Sequence, residues 1–296
     1  MKKILFIIFI SGYAISQPAF QGLNAWTQSS TIGLAGGGYL LWGQNDFRNA
    51  GMLYNSKRKM KFTIVKYPAG INGQSIVGNG TINSHNLGFK INRINYGIFD
   101  GRDIENQKTD NYSASDLHLQ MGYAKASNSG HVIIGINGGI LLSKLEKSNA
   151  SAITLSPAII YNSGRTDFGF SLQNYGKVIN NYGESKESMP IMLVTSISRQ
   201  ITPLPLILEF DHQYSKHNNI SFATISGILI FKNGLIIKGG KSYRMKQMTN
   251  ISFIRNFISD FGIGLEFDID DIIIDINSYN YSAGGFIIAM GISVLY

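Results

Sequence analysis

Apolar and polar side chains alternate with a period of two through most of the chain beyond residue 17. From Asp260 to Asp270, Phe261, Ile263, Leu265, Phe267 and Ile269 fall on one face, while Gly262, Gly264, Glu266 and Asp268 fall on the other. Successive side chains of a strand point to opposite faces, so the segment predicts a strand that is apolar on one side and polar on the other. Leu206, Leu208, Phe210, His212 and Tyr214 alternate in the same way with Ile207, Glu209, Asp211, Gln213 and Ser215. Leu117, Leu119, Met121 and Tyr123 alternate with His118, Gln120 and Gly122, Phe168, Phe170 and Leu172 with Gly169, Ser171 and Gln173, and Leu87, Phe89 and Ile91 with Gly88, Lys90 and Asn92. Beyond residue 17 no long stretch keeps helical spacing of apolar residues, and no run approaches the length of about 18 that a membrane-spanning helix needs.

Short polar links divide the alternating runs. Asp100-Gly101, Asn128-Ser129-Gly130, Asn162-Ser163-Gly164, Asn233-Gly234 and Asp270-Asp271 have the residue types that close hairpins, which makes the flanking strands antiparallel neighbours. The pattern predicts strands near 61–67, 84–92, 94–102, 113–126, 130–147, 148–164, 166–177, 189–201, 203–216, 220–234, 235–244, 257–270, 271–282 and 286–296, about fourteen in all. Longer polar links near 103–112, 178–188 and 245–256 are candidate extracellular loops. The glycine-rich stretch Thr31 to Trp42, with Gly36, Gly37 and Gly38 at its centre, is a poor strand interior and is expected to fold inward ahead of the first strand.

The N-terminus directs the chain out of the cytoplasm. Lys2-Lys3, the apolar run Ile4 to Ile10 and Ala14-Ile15-Ser16 have the order of a secretory signal, with cleavage expected after Ser16. The expected organisation is thus a leader over 1–16, a glycine-rich segment over 17–60 and a barrel over 61–296. Charged residues make up only 15 % of the chain, below the roughly 25 % of soluble domains, while 33 glycines, 15 tyrosines and 17 phenylalanines are present. The formal charge of +8 includes Lys2 and Lys3 and is spread thinly. Lys57-Arg58-Lys59 is the densest basic run and reads as a solvated loop, so no nucleic-acid partner is expected.

A soluble β-sandwich also alternates, and the C-terminus helps to separate the two. Phe286, Ile288, Met290, Ile292, Val294 and Tyr296 share one face, and Gly291 precedes the end by five places. Gly291, Val294 and Tyr296 resemble the terminal signal by which barrel-insertion machinery receives outer-membrane proteins. A closed barrel leaves no unpaired strand edge in lipid. With export and polar faces that carry charges, the reading is an all-β transmembrane antiparallel barrel in the cell outer membrane, in contact with the lipid bilayer.

Candidate chemistry is sparse. With no cysteine, thiolate nucleophiles and thiolate metal sites are excluded. His85, His118, His131, His212 and His217 are scattered, without the spacing that puts two ligands on one metal. There is no G-x-S-x-G elbow, and Gly36-Gly37-Gly38 lacks the Gly-Lys-Ser/Thr of a phosphate loop. Glu266, Asp268, Asp270, Asp271 and Asp275 could supply oxygen ligands, the first three on one face about 7 Å apart, but the calcium-loop pattern is missing and a polar lumen with a charged turn explains them. No catalytic residue, metal or cofactor is expected.

Three segments resemble the PorV/PorQ family of outer-membrane barrels, related to FadL-type fatty-acid channels. Ser30-Thr31-Ile32-Gly33-Leu34-Ala35-Gly36-Gly37-Gly38-Tyr39 is similar to the family's glycine-rich opening. Phe47-Arg48-Asn49-Ala50-Gly51 is similar to its Asn-Pro-Ala-Gly segment without the proline, and Phe170-Ser171-Leu172-Gln173-Asn174-Tyr175-Gly176 to its mid-chain strand. The closing run from Phe261 through Tyr296 fits the last three strands, and its brevity leans toward PorQ. The resemblance implies a FadL-like barrel that acts in type IX protein secretion or surface attachment of cargo, with type IX attachment proteins or cargo as partners. The alternative it carries is a FadL-like passive channel for hydrophobic small molecules.

N-terminal sequencing of membrane-extracted protein should begin at Gln17, and recovery of Met1 would remove the argument for export.

Overall fold

The computed structural model describes residues 20–44, 47–54, 56–103, 105–184, 186–217, 219–244, 259–281 and 284–296. The expected leader over 1–16 and the candidate loop 245–256 lie outside the described residues. Fifteen strands follow one another: β1 (Lys59–Lys66), β2 (Asn72–Ile82), β3 (His85–Phe99), β4 (Tyr112–Ala126), β5 (Val132–Leu145), β6 (Ser148–Asn162), β7 (Thr166–Gln173), β8 (Tyr175–Asn180), β9 (Met192–Ile201), β10 (Leu206–Ser215), β11 (Ile220–Ile230), β12 (Leu235–Arg244), β13 (Phe261–Ile269), β14 (Ile272–Asn280) and β15 (Phe286–Leu295). All pairings are antiparallel. β1 pairs with β2 on one side and with β15 on the other, from Lys59 opposite Leu295 to Lys66 opposite Ile288, which closes the sheet into a barrel.

β7 and β8 both pair with β6, through Ala158–Asn162 and Ser151–Leu155 respectively, so they form one interrupted stave and the wall has fourteen staves. Three local differences from the sequence reading offset one another in that count. β2 was not foreseen, because Gly73, Gly78 and Gly80 dilute its alternation. The segments 84–92 and 94–102 are one strand, β3, whose register shifts between Asn95 and Ile98 around Gly97 at φ 94°. The segment 166–177 breaks at Asn174, which has φ 56°. Asp100-Gly101 opens the link 100–111 and does not close a two-residue hairpin.

The faces follow the alternation. Phe261, Ile263, Leu265 and Phe267 lie on the outer surface, each more than 40 % exposed, whereas Gly262, Gly264 and Glu266 point into the lumen. The outer face of β15 carries Phe286, Ile288, Met290, Ile292 and Val294. An apolar outer belt on a closed wall is what a lipid bilayer demands of a spanning sheet, because lipid offers the backbone no hydrogen bonds. The protein is an outer-membrane barrel. At one end every link has two to five residues (83–84, 127–131, 163–165, 202–205, 231–234 and 270–271), whereas the long links 100–111 and 181–191 lie at the other end, together with the short links 67–71 and 146–147. Short turns face the periplasm in bacterial barrels, which puts the two long links 100–111 and 181–191 at the cell surface.

The barrel is not hollow. Residues 20–58 run through it, with a single-turn helix α1 (Ser29–Gly33) that is wholly buried, followed by buried Leu34, Ala35, Tyr39, Leu40 and Leu41. The inward fold of the glycine-rich stretch is therefore a plug that packs on the inner wall.

Leu265→Arg should destabilise the barrel by about 2–4 kcal/mol in reversible urea unfolding from lipid vesicles, since Leu265 sits mid-strand. Ile269→Arg, at the turn end of the same strand, should cost about 1 kcal/mol or less.

Candidate functional site

The functional region is the plug, the lumenal side chains that hold it and the space left above it. Plug backbone that is neither helix nor strand must find partners among wall side chains, and polar lumen residues supply them. Leu40 N donates to both carboxylate oxygens of Glu209 at 3.0 and 3.1 Å, and Gly38 N donates to Asp211 Oδ2 at 3.2 Å. Tyr67 and Ser75 hydroxyls donate to the carbonyls of Trp26 and Thr27 at 2.7 and 2.9 Å. Asn137 Nδ2 donates to Phe47 O, Gln173 Nε2 to Arg48 O, and Lys59 Nζ to Gly43 O. Trp42 Nε1 donates to Asp167 Oδ2 at 2.9 Å.

α1 is held by a buried charge cluster. Lys61 pairs with Asp275, and Lys238 lies 2.5 Å from Glu266 and 3.7 Å from Asp275. Both ammonium groups also donate to Ser30 Oγ, at 3.1 and 3.0 Å. The acidic group read from the sequence thus divides: Glu266 and Asp275 serve lysines inside the barrel, while Asp270 and Asp271 form the β13–β14 turn. Among the described residues no three His, Asp or Glu side chains converge as metal ligands.

Close approach of plug to wall depends on missing side chains. Gly240 and Gly262 face each other across β12 and β13 and form a notch for the plug, where a Cβ on Gly262 would meet Ile32 O at 2.5 Å and Gly33 O at 2.7 Å. On the plug, a Cβ at Gly37 would lie 2.7 Å from Ser226 Oγ and 2.9 Å from Asp211 Oδ2. Gly36 and Gly38 adopt φ 84° and 85°, which turn the chain beside Trp26 and Glu209–Asp211. Gly291 faces Asp275 and Ser29 from the wall, whereas Val294 and Tyr296 point outward. The predicted terminal residues therefore do not meet the glycine run. In the sequence Glu209 and Asp211 are visible only as polar positions of an alternating strand, and Lys61 and Lys238 fall within predicted strands with nothing to single them out.

Above the plug is a cavity of about 270 Å³ that opens toward the surface end. Arg48 and Lys90 line it with Gln120, Gln173 and Gln213, and rings of Trp26, Phe47 and Phe222 supply apolar surface. Arg48 Nη2 donates to Gly36 O at 2.6 Å and to Tyr39 OH at 2.5 Å, and its guanidinium lies 4.1 Å from the centre of the Tyr39 ring. Burial pushes the Tyr39 hydroxyl above its ordinary pKa, so it stays protonated.

The cavity borders the interrupted stave. Asn174 donates from Nδ2 to Asn24 Oδ1 of the plug at 2.9 Å, and its backbone N donates to Ser156 Oγ at 3.1 Å. β9 pairs with β10 on one side and with β7, not β8, on the other, so among the described residues β8 has β6 as its one strand partner. The opening, of about 790 Å³, lies between Gly176–Val178 and the segment 186–191. Just inside it Phe20, Leu141, Met189, Val178, Tyr182 and Ile191 form an apolar cluster.

Solved structures with the same architecture include the toluene transporter TodX of Pseudomonas putida, at TM-score 0.62 and 12% identity, which covers 91% of this chain and 97% of that one. A FadL homologue of Pseudomonas aeruginosa superposes at TM-score 0.56 and 11% identity, over 90% of this chain and 98% of that one. The chain has the FadL-type barrel fold. No known family pattern and no curated protein matches it by sequence. In this FadL-type barrel the plug meets the interrupted stave at Asn24 and Asn174, both of which line the cavity.

Lys238→Met, which leaves Glu266 buried without its cation, should lower stability by about 3–5 kcal/mol in urea titrations. Adding Glu266→Leu should recover most of the loss.

Proposed function

We propose that the protein is a passive channel of the FadL type that admits small hydrophobic molecules to the outer membrane. The observation that carries this reading is the interruption of the wall at Asn174, which puts a lateral opening beside the cavity above the plug. An apolar solute leaving water at the cell surface would meet the partly exposed Val178, Tyr182 and Ile191 first, with Phe20 and Met189 buried behind them. Burial of apolar surface, at about 25 cal/mol per Å², drives that step without any energy source. The likeness in fold to a toluene transporter supports the same class of solute. Tyr182 donates or accepts at Ser143 and is held protonated by burial, so this entrance carries no charge of its own from that ring.

The type IX reading rests on the short motifs Ser30–Tyr39, Phe47–Gly51 and Phe170–Gly176 and on the closing run Phe261–Tyr296, and in it surface links such as 100–111 and 181–191 would bind partners, because loops on a rigid scaffold carry recognition. One set of strains separates the two. Uptake of labelled toluene should be faster with the wild-type protein than in a deletion strain. Asn174→Val, strained at positive φ and without the side-chain bonds to Asn24 Oδ1 and Pro190 O, should return uptake to the deletion level while heat-modifiable mobility persists. If the deletion leaves uptake unchanged but releases type IX cargo from the cell surface, the channel reading is wrong.

A further inference from the structure

Inside the barrel, lysines that touch the plug are matched: Lys61 by Asp275, Lys238 by Glu266, and Lys59 by a carbonyl. Lys90 is different. It lines the cavity above the plug, and among the described residues its ammonium makes no ion pair and no hydrogen bond. Its neighbours are the Phe47 ring, 6.0 Å from the ammonium, and the Arg48 and His118 side chains. His118 is itself engaged with Thr154 Oγ1 at 2.8 Å. Arg48 is turned to the plug and has Asp211 within electrostatic reach, but no Asp or Glu lines the cavity.

We propose that this cavity binds a single-ring aromatic acid, with the carboxylate at Lys90 and Arg48 and the ring against Phe47, Trp26 and Phe222. The proposal rests on the channel reading and names its solute class more narrowly. A pure hydrocarbon would strip water from Lys90, Asn92 and Gln120 and return no hydrogen bond, which disfavours it. An acid returns the missing opposite charge. The volume of 270 Å³, near the lower edge of the roughly 300–1,000 Å³ usual for small-molecule sites, suits one ring better than a long acyl chain. Lys177, Lys186 and Lys216, with Glu187 as the one acid among them, line the outer opening and would raise the local concentration of anions.

The test is calorimetric titration of the full-length protein in detergent with sodium benzoate, sodium acetate and toluene, on wild type, Lys90→Gln and Lys90→Arg. Benzoate should bind at least about tenfold more tightly than either acetate or toluene. Lys90→Gln should weaken benzoate by about tenfold or more without moving toluene, and Lys90→Arg should restore it. Benzoate that binds no better than toluene, or acetate that equals benzoate, overturns the proposal on wild-type protein alone, even if a variant fails to insert. So does a folded Lys90→Gln protein that binds benzoate normally. Toluene permeation through proteoliposomes is measured alongside: if it persists while benzoate binding is absent, only the acid site falls, and if neither solute permeates or binds, the channel reading falls with it.

Discussion

Irregular backbone can sit at membrane depth only where protein groups take the place of water at its N–H and carbonyl groups. The rest of this structure follows from that constraint. The wall meets it by closure of β1 on β15, which leaves neither edge strand open to lipid. Among its described residues the plug has one turn of α-helix, two 3-10 turns and no strand, so its remaining groups are met by lumenal side chains: carboxylates at Leu40 and Gly38, amides at Phe47 and Arg48, hydroxyls at Trp26 and Thr27. These lumenal positions are therefore both part of the wall and bonds to the plug.

Polar groups can reach the plug backbone only at short range, and glycine sets that range. The notch at Gly240 and Gly262 receives Ile32–Leu34, and Gly37 lies against Asp211 from the other partner. With the backbones this close, the lysines and carboxylates around Ser30 lose their water, and desolvated charges hold only as pairs. Lys61–Asp275 and Lys238–Glu266 meet that requirement and fix α1 against the wall at the same time. The pairs are better understood as setting the position of the plug than as a large net gain in stability.

The plug in turn defines where a solute can go. It packs on the inner wall and leaves a cavity beside Asn174, toward the surface end. A left-handed residue in the middle of a stave ends one ladder and lets the chain leave the wall, so one backbone torsion accounts for both the strand break and the lateral opening. The side chain of Asn174 then ties the break to Asn24 of the plug. A single residue thus links wall, plug and entrance.

Much of the wall was legible in the sequence, because alternation depends only on the two-residue repeat of a strand and needs no knowledge of neighbours. The lipid face of Phe261–Phe267, the hairpin turns at Asn128–Gly130 and Asp270–Asp271, and the inward course of the glycine run are of this kind. Elements whose form depends on packing were not legible. β2 is a strand because β1 and β3 pair with it, despite its glycines, and β3 runs through a bulge that sequence alone reads as two strands. The site was harder still. Lys61 and Asp275 are 214 residues apart, and Leu40 and Glu209 are 169 apart. The sequence determined that charges point into the lumen, through local periodicity. Which charges are paired, and that Lys90 is left facing an open space, were decided only when closure of the barrel brought distant strands around the plug.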